Sequence, residues 1–370
     1  MDASDTLTLP YAPAEEKRPS RRIPVAVLGA TGSVGQRFVQ LLDGHPWFKL
    51  HEVVASDRSA GRPYAEAAEW RLDMLLPTDA AALEVKLLGA DLESPLLFSG
   101  LDSSVAGEAE DDYANRGCVV VSNSRNHRMD PDVPLLIPEL NADHIGAIDR
   151  QRKRRGGHGY IVTNPNCSVV GLAMAIAPIE LLYGIEELHV TTMQAISGAG
   201  YAGVASYAIL DNVIPYIGSG EEEKIESEPQ KILGRWDGER FIDAPFRISA
   251  QVNRVPTIDG HLMTISMRLR SSNSVNLDQL RVAIDDFRGE PQVLGLPTAP
   301  RKPIHYVHGD DRPQPRLDRD RERGMSVSVG RLRPCPLLDL RMVALVHNTI
   351  RGAAGAAILN AELLEAKGLL

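Results

Sequence analysis

The stretch from Ile23 to Leu42 constrains the fold of this chain more than any other. A β-branched run, Pro24-Val-Ala-Val-Leu28, passes directly into Gly29-Ala-Thr-Gly-Ser-Val-Gly35 and then into Gln36-Arg-Phe-Val-Gln-Leu-Leu42, whose apolar residues recur at helical spacing. Strand, glycine turn and helix in that order let a backbone approach a pyrophosphate closely. The free N–H groups at the helix start then meet the negative charge. Gly29, Gly32 and Gly35, with Thr31, Ser33 and Val34 between them, stand where this needs them. The GxxGxxG spacing alone also suits a turn built for packing, but its place behind the first strand favours a nucleotide.

The rest of the first half repeats the strand–helix alternation. A second apolar run, Leu50–Ala55, ends in Ser56-Asp-Arg-Ser-Ala-Gly61, and short strands are expected at Leu96–Ser99 and Cys118–Ser122. Alternation of this kind predicts a parallel, doubly wound sheet from residue 21 to about residue 165. An acidic residue at the end of the second strand would hold the ribose 2′-hydroxyl of NAD. Ser56, Arg58 and Ser59 occupy that place and suit a 2′-phosphate, which favours NADP, while Asp57 leaves NAD open.

Beyond Cys167 the texture changes. Long alternating runs at Leu188–Ala195, Arg247–Val255 and His261–Leu269 predict an α+β second domain with a mainly antiparallel sheet. The segment Asn348–Ala366 has helical spacing and is expected to pack back onto the first domain. Residues 1–20 are polar and Pro-containing and read as a flexible tail. The division is therefore 21–166 for the nucleotide-binding domain, completed by a C-terminal helix over 348–370, and 167–347 for the catalytic domain. Two charge runs, Arg150–Arg155 and Asp310–Arg323, read as a solvated loop and a surface loop, the second a candidate for contact with a partner subunit.

Charge narrows the function. A formal net charge of -9 over 370 residues argues against nucleic acid or an anionic membrane as partner, and favours a small metabolite. The longest apolar stretch, Val169–Leu182, is broken by Gly171, Pro178 and Glu180, so no membrane span is expected. Three cysteines, Cys118, Cys167 and Cys335, are too few and too scattered for a disulfide framework or a metal site, which predicts a cytoplasmic, reduced chain without a metal.

One of those cysteines stands out by its surroundings. Gly159-Tyr-Ile-Val-Thr-Asn-Pro-Asn-Cys167-Ser-Val-Val reads as strand, Pro-containing turn and apolar helix, so Cys167 falls at a helix N-terminus. The dipole and free N–H groups there favour a thiolate, and with the Asn166 side chain they offer donors to an oxyanion. A buried structural cysteine is the competing reading. Against it stands Arg254-Val-Pro-Thr-Ile-Asp-Gly-His261, where a turn through Asp259-Gly260 would aim His261 at the thiol as acid/base and Arg254 at a substrate carboxylate.

With these residues assembled, the chain resembles the aspartate-semialdehyde dehydrogenases, in their archaeal and fungal type, from Ile23 to the C-terminus. The resembling stretches are Gly29–Gly35, Ser122–Arg128, Pro138–Asn141, Asn164–Cys167, Gln194–Gly200, Gly220–Lys224, Arg254 with His261, Asp311–Arg316 and His347–Thr349. The resemblance implies a Rossmann-like N-terminal domain, a catalytic and dimerisation domain, and a homodimer or homotetramer. It also implies NADPH-dependent reduction of L-aspartyl-4-phosphate to the semialdehyde with release of phosphate, through a thioester on Cys167. By the same resemblance His261 is the acid/base, Arg254 holds the substrate carboxylate and Gln194 orients the reacting carbonyl. Glu228 would take the α-amino group and Lys231 the phosphate, yet Glu221 and Lys224 repeat that spacing and the choice between the pairs stays open. Asn123, Arg125 and Asn126 resemble the phosphate-side loop, although Arg125 and His127 stand where lysine and tyrosine are common in the subgroup. Ser197, Gly198 and Asn348 would line the nicotinamide. A malonyl-CoA or N-acetylglutamyl-phosphate reductase of the same architecture is the nearest alternative, and a non-catalytic nucleotide sensor a remote one.

Overall fold

A computed structural model describes residues 21–271 and 275–370, so the expected tail over 1–20 lies outside the described residues. The first half forms a six-stranded sheet from β1 (Ile23–Leu28), β2 (Phe48–Ala55), β3 (Val85–Leu87), β4 (Leu96–Ser99), β5 (Val119–Ser122) and β6 (Tyr160–Thr163). Its order is β3-β2-β1-β4-β5-β6 and every neighbouring pair is parallel. The strand order reverses between β1 and β4, the crevice where open α/β sheets take their ligands. Strands β4, β5 and β6 are buried at every position, as a sheet covered on both faces requires.

The second half supplies β7 (Ile185–Gln194), β8 (Ile214–Pro215), a small ribbon of β9 (Arg235–Trp236) and β10 (Phe241–Ile242), then β11 (Arg247–Arg254), β12 (His261–Leu269), β13 (Ile304–Val307), β14 (Val327–Pro334) and β15 (Leu340–Val346). Apart from the ribbon they form one sheet in the order β13-β14-β15-β12-β7-β11-β8. It is mixed and mainly antiparallel, with parallel pairs at β13–β14 and β7–β11. Burial alternates along β12, so one face meets the core. That face packs on the helix Cys167–Tyr183, whose Val169, Leu172, Ala173 and Ile176 share a cluster with Val190, Met263 and Val346.

The C-terminal helix Gly355–Ala366 follows a π-helical turn at Ile350–Ala354 and returns to the first sheet, where Ile358 and Leu359 pack with Phe38 and Phe98. Two loop expectations are corrected. The basic run is the end of a helix, Ile148–Arg155, in which Arg154 pairs with Asp132 and Arg155 with Asp111. Cations in a last helical turn meet the negative end of its dipole. Within 310–323, Asp318 is buried and receives Arg312, Arg321 and the Gln314 N–H, so this surface run is organised around a buried carboxylate. Among the described residues no helix is long and apolar enough to cross a membrane.

Candidate active site

Three strand ends converge on Cys167. β7 is the central member: Arg254 at the end of β11 registers with Gln194, and Leu262 beside His261 registers with Met193 from the other flank. Gly260, at φ +101°, lets the chain turn into β12. Cys167 opens its helix behind the cap Asn166, and its Sγ lies 3.2 Å from His261 Nε2. Gly352 closes the other side, for a Cβ there would lie 2.8 Å from that of Cys167.

Burial sets the charge state of the pair. Cys167 keeps some exposure, yet the protein crowded around its sulfur pushes the thiol up to about 12; Glu221 adds to the rise, while Arg128, Arg254 and Lys224 oppose it. Burial likewise holds His261 down to about 3, assisted by Arg254. Burial thus favours the neutral thiol and the neutral imidazole, working against the thiolate that the helix start favours. Asn166 also differs from expectation. Its Oδ1 accepts the Ser168 and Val169 N–H groups at 2.9 and 3.3 Å, and its Nδ2 donates to Glu221 at 2.8 Å. Those two backbone donors are spent on the cap, while the Asn166 amide keeps a second Nδ2 hydrogen to offer.

The helix Glu221–Ile232 holds the two pairs differently. Glu221 Oε1 accepts from Asn166 and Gln194, and its Oε2 accepts from Lys224 at 2.8 Å. Burial acts to raise the Glu221 pKa, but Lys224 and the two amides hold it below the ordinary value. Glu228 does not reach the pocket. Its Oε1 pairs with Arg128 at 2.9 Å and its Oε2 accepts the Asn166 backbone N–H at 2.6 Å, which fastens the turn before Cys167. Lys231 donates to three carbonyls, of Arg128, Asp130 and Val133, at 2.8–3.0 Å. An ammonium has three donors, so none is left for phosphate. Glu228 and Lys231, expected as substrate contacts, are thus held in ties to protein groups.

Arg254 is buried and spends one donor on the Ala195 carbonyl at 2.6 Å. A Cβ on Gly198 would come within 2.8 Å of its Nη1 and 3.2 Å of His261 Cε1, so only glycine keeps this approach open. Asn348 Nδ2 donates to Ser197 Oγ at 2.8 Å and its Oδ1 accepts the Gly260 N–H, tying both catalytic strand ends to the C-terminal segment. Arg125 reaches the Ser219 carbonyl beside Gly220, just ahead of the helix that carries Lys224. Asn126 turns away, donating to the Ser103 carbonyl and accepting from Ser124, while Asn123 accepts Arg128 and Asn164. Arg128 lies within a stretch singled out from the sequence, but nothing in the sequence showed that it would pair with Glu228. Gly352 and the Ala195 amide carried no sequence signal.

The nucleotide crevice fits the expected cofactor. A Cβ on Gly29 would meet the Gly100 carbonyl at 2.8 Å, and one on Gly35 would meet the Gly29 carbonyl at 2.2 Å, so the close approach at both positions requires glycine. Gly32 caps the helix Ser33–Leu42 without a side-chain bond, leaving the helix start open, and Thr31 and Val34 flank it. Ser56 and Arg58 are exposed beyond β2, with Ser59 behind them. Asp57 turns its carboxylate onto the Arg58 backbone N–H at 2.9 Å and so is occupied by its own turn. Among the described residues no cluster of His, Cys, Asp and Glu side chains could hold a metal ion.

Residues 24–148 match the family model for a semialdehyde dehydrogenase NAD binding domain, and residues 176–351 that for a semialdehyde dehydrogenase dimerisation domain. The aspartate-semialdehyde dehydrogenase of Methanothermobacter thermautotrophicus is 49% identical, covering 92% of this chain and 99% of the relative. That of Schizosaccharomyces pombe is 47% identical over 94% of this chain and 99% of its own length. The crystal structure of the Candida albicans aspartate-semialdehyde dehydrogenase with NADP superposes with a TM-score of 0.86 at 43% identity, covering 95% of this chain and 100% of that one. On its fold, the thiol–imidazole pair at a helix start and this likeness over nearly its whole length, the chain belongs to the aspartate-semialdehyde dehydrogenase family.

Proposed function

We propose that this chain is an oxidoreductase that reduces L-aspartyl-4-phosphate to L-aspartate 4-semialdehyde, using NADPH and releasing phosphate, through a thioester on Cys167. The observation that carries the reading is the 3.2 Å contact of Cys167 Sγ with His261, set between Arg254 on one side and the Glu221–Lys224 pair on the other. NADPH, when bound, supplies the hydride that reduces the acyl carbon. The chain's own residues do the rest. Cys167 attacks the acyl carbon and displaces phosphate, which splits a difficult reduction into two accessible halves. Arg254 receives the α-carboxylate, Glu221 the α-ammonium, and Gln194, hydrogen-bonded to Glu221, is placed to orient the substrate. Lys224 and Arg125 meet the phosphate. Gly29, Gly32 and the helix start hold the pyrophosphate, Ser56, Arg58 and Ser59 the 2′-phosphate, and Ser197, Gly198 and Asn348 the nicotinamide side.

The Glu221 carboxylate separates this substrate from its rivals, because neither a malonyl group nor an N-acetylated glutamate offers a positive charge to it. NADPH oxidation measured side by side should be fastest with aspartyl phosphate, and a preference for malonyl-CoA or N-acetylglutamyl phosphate would sink the assignment. Cys167→Ala should abolish turnover and leave NADPH binding nearly intact. The reading extends to a cytoplasmic homodimer, or a tetramer of two such dimers, assembled through the second domain.

A further inference from the structure

The wall that Gly352 sets against Cys167 belongs to the π-helical turn Ile350–Ala354. Its bonds reach five residues back, from Gly352 N–H to the His347 carbonyl at 3.0 Å and from Ala354 N–H to that of Thr349 at 3.3 Å. Such turns are rare and frequently stand at functional sites. Arg351, Glu139, Asn164 and Asn360, all buried, hold this one in place. Arg351 Nη2 donates to Glu139 Oε2 at 2.6 Å, with both side chains fully buried. The segment that carries Glu139 is stitched to the end of β6: Leu136 N–H donates to the Thr163 carbonyl and Thr163 N–H to that of Pro134, each at 2.9 Å. Asn164, the next residue, donates its Nδ2 to the Ala353 carbonyl at 3.0 Å and accepts Asn360 Nδ2 at 2.7 Å. The turn that delivers Cys167 and the turn that backs it are thus fastened to each other through both groups. A fully buried ion pair is a poor device for stability, because desolvating the two charges offsets their attraction. Among the described residues Arg351 Nε and Nη1 have no hydrogen-bond partner, which raises that cost further. What the pair supplies is a fixed position.

We propose that Arg351, Asn164 and Asn360 are positioning residues for the reaction: by clamping the π-helical turn they hold Gly352 against Cys167 and fix the line along which its sulfur meets the acyl carbon. The role rests on the thioester reaction proposed above. Their side chains bond to Glu139, Met174, Ala353, Asn123 and one another, and to none of Arg254, Glu221 and Lys224. The clamp therefore acts on the attack and leaves substrate binding to the pocket. A nucleophile displaced by about 1 Å loses on the order of 100-fold in rate, so a slack wall behind Cys167 is felt in the chemical step.

The first test is Asn360→Leu, which cuts the link to Asn164 and strands no charge. It should lower kcat for aspartyl phosphate roughly 10- to 100-fold, with KM and the NADPH dissociation constant within about 2-fold of the parent's. The second combines Glu139→Gln with Arg351→Met, which removes the ion pair without leaving either charge alone. Its melting temperature should stay close to the parent's while kcat falls by the same order. Parental kcat in either variant, or a loss carried by KM alone, would overturn the proposal; a double variant that does not fold leaves the decision to Asn360→Leu. A further reading needs no turnover. Cys167 is capped with 13C-methyl methanethiosulfonate, and its methyl resonance is identified by its loss in Cys167→Ala. That resonance should shift and broaden in Asn360→Leu, and an unchanged one would equally overturn the clamp. Failure to reduce aspartyl phosphate would instead sink the substrate assignment and leave the methyl readout untouched.

Discussion

The helix Glu221–Ile232 carries the same glutamate–lysine pair twice, and the two copies do opposite work. Glu221 with Lys224 and Glu228 with Lys231 stand seven residues apart, close to two full turns, so both lie on one side of the helix about 10 Å apart along its axis. The first pair bonds itself and Asn166 and Gln194 at the edge of the pocket. The second never meets: Glu228 turns to Arg128 and Lys231 to three backbone carbonyls of the 128–133 loop. Identical spacing therefore serves the edge of the pocket at one depth and loop anchorage at another. What differs is the neighbour that each turn of the helix meets.

That contrast can be broken at either end. The largest effect is expected for Glu228→Gln, which leaves the buried Arg128 guanidinium without its counter-charge. Urea unfolding should show a loss of about 3–5 kcal/mol. A variant of unchanged stability but weakened substrate binding would return Glu228 to the pocket. Next comes Glu221→Gln, expected to lower kcat/KM for aspartyl phosphate roughly 10- to 100-fold, the worth of about 1.5–3 kcal/mol for a hydrogen bond to a charged group. Its melting temperature should stay close to the parent's; if it falls as far as that of Glu228→Gln, the division between the pairs is gone. Lys224→Met is a milder probe because Lys224 is partly exposed. It should raise KM for the acyl phosphate about 10-fold with kcat little changed, and steady-state kinetics at varied phosphate would detect the lost contact.

The smallest effect is a pH dependence. Burial holds Lys231 down to about 8, below the usual lysine range, against the pull of Asp130, Asp243, Asp132 and Glu228. Between about pH 8 and the unfolded value near about 10.5, the unfolded chain binds the extra proton, so stability should rise with pH across that window. Comparing parent and Lys231→Met by denaturation isolates the slope. A flat difference would mean that Lys231 does not titrate as its burial demands.

How much of this could be read along the chain depends on the range of the contact involved. The glycine turn at 29–35 and the cap-and-nucleophile turn at 164–167 are local, because glycine geometry and helix capping act within a few residues. Strands β2, β4 and β5 announced themselves as apolar runs, whereas β3 is only three residues long and His305 and Tyr306 break the apolar run of β13. The charged run at 310–323 looked like open surface because nothing in its order reveals that Asp318 turns inward to gather two arginines.

The sequence by itself determined the two sheet types, the placement of Cys167 at a helix start and the candidacy of His261, Arg254, Gln194 and the glycine turn, since each rests on local pattern or on motifs that survive in one dimension. Only the tertiary structure decided how differently the two glutamate–lysine pairs are held, that Asn166 spends its side chain on the cap and on Glu221, and that the Ala195 amide meets Nδ1 of His261. Those are contacts between residues tens of positions apart. Their existence depends on β7 lying between β11 and β12, and no spacing along the chain records that order.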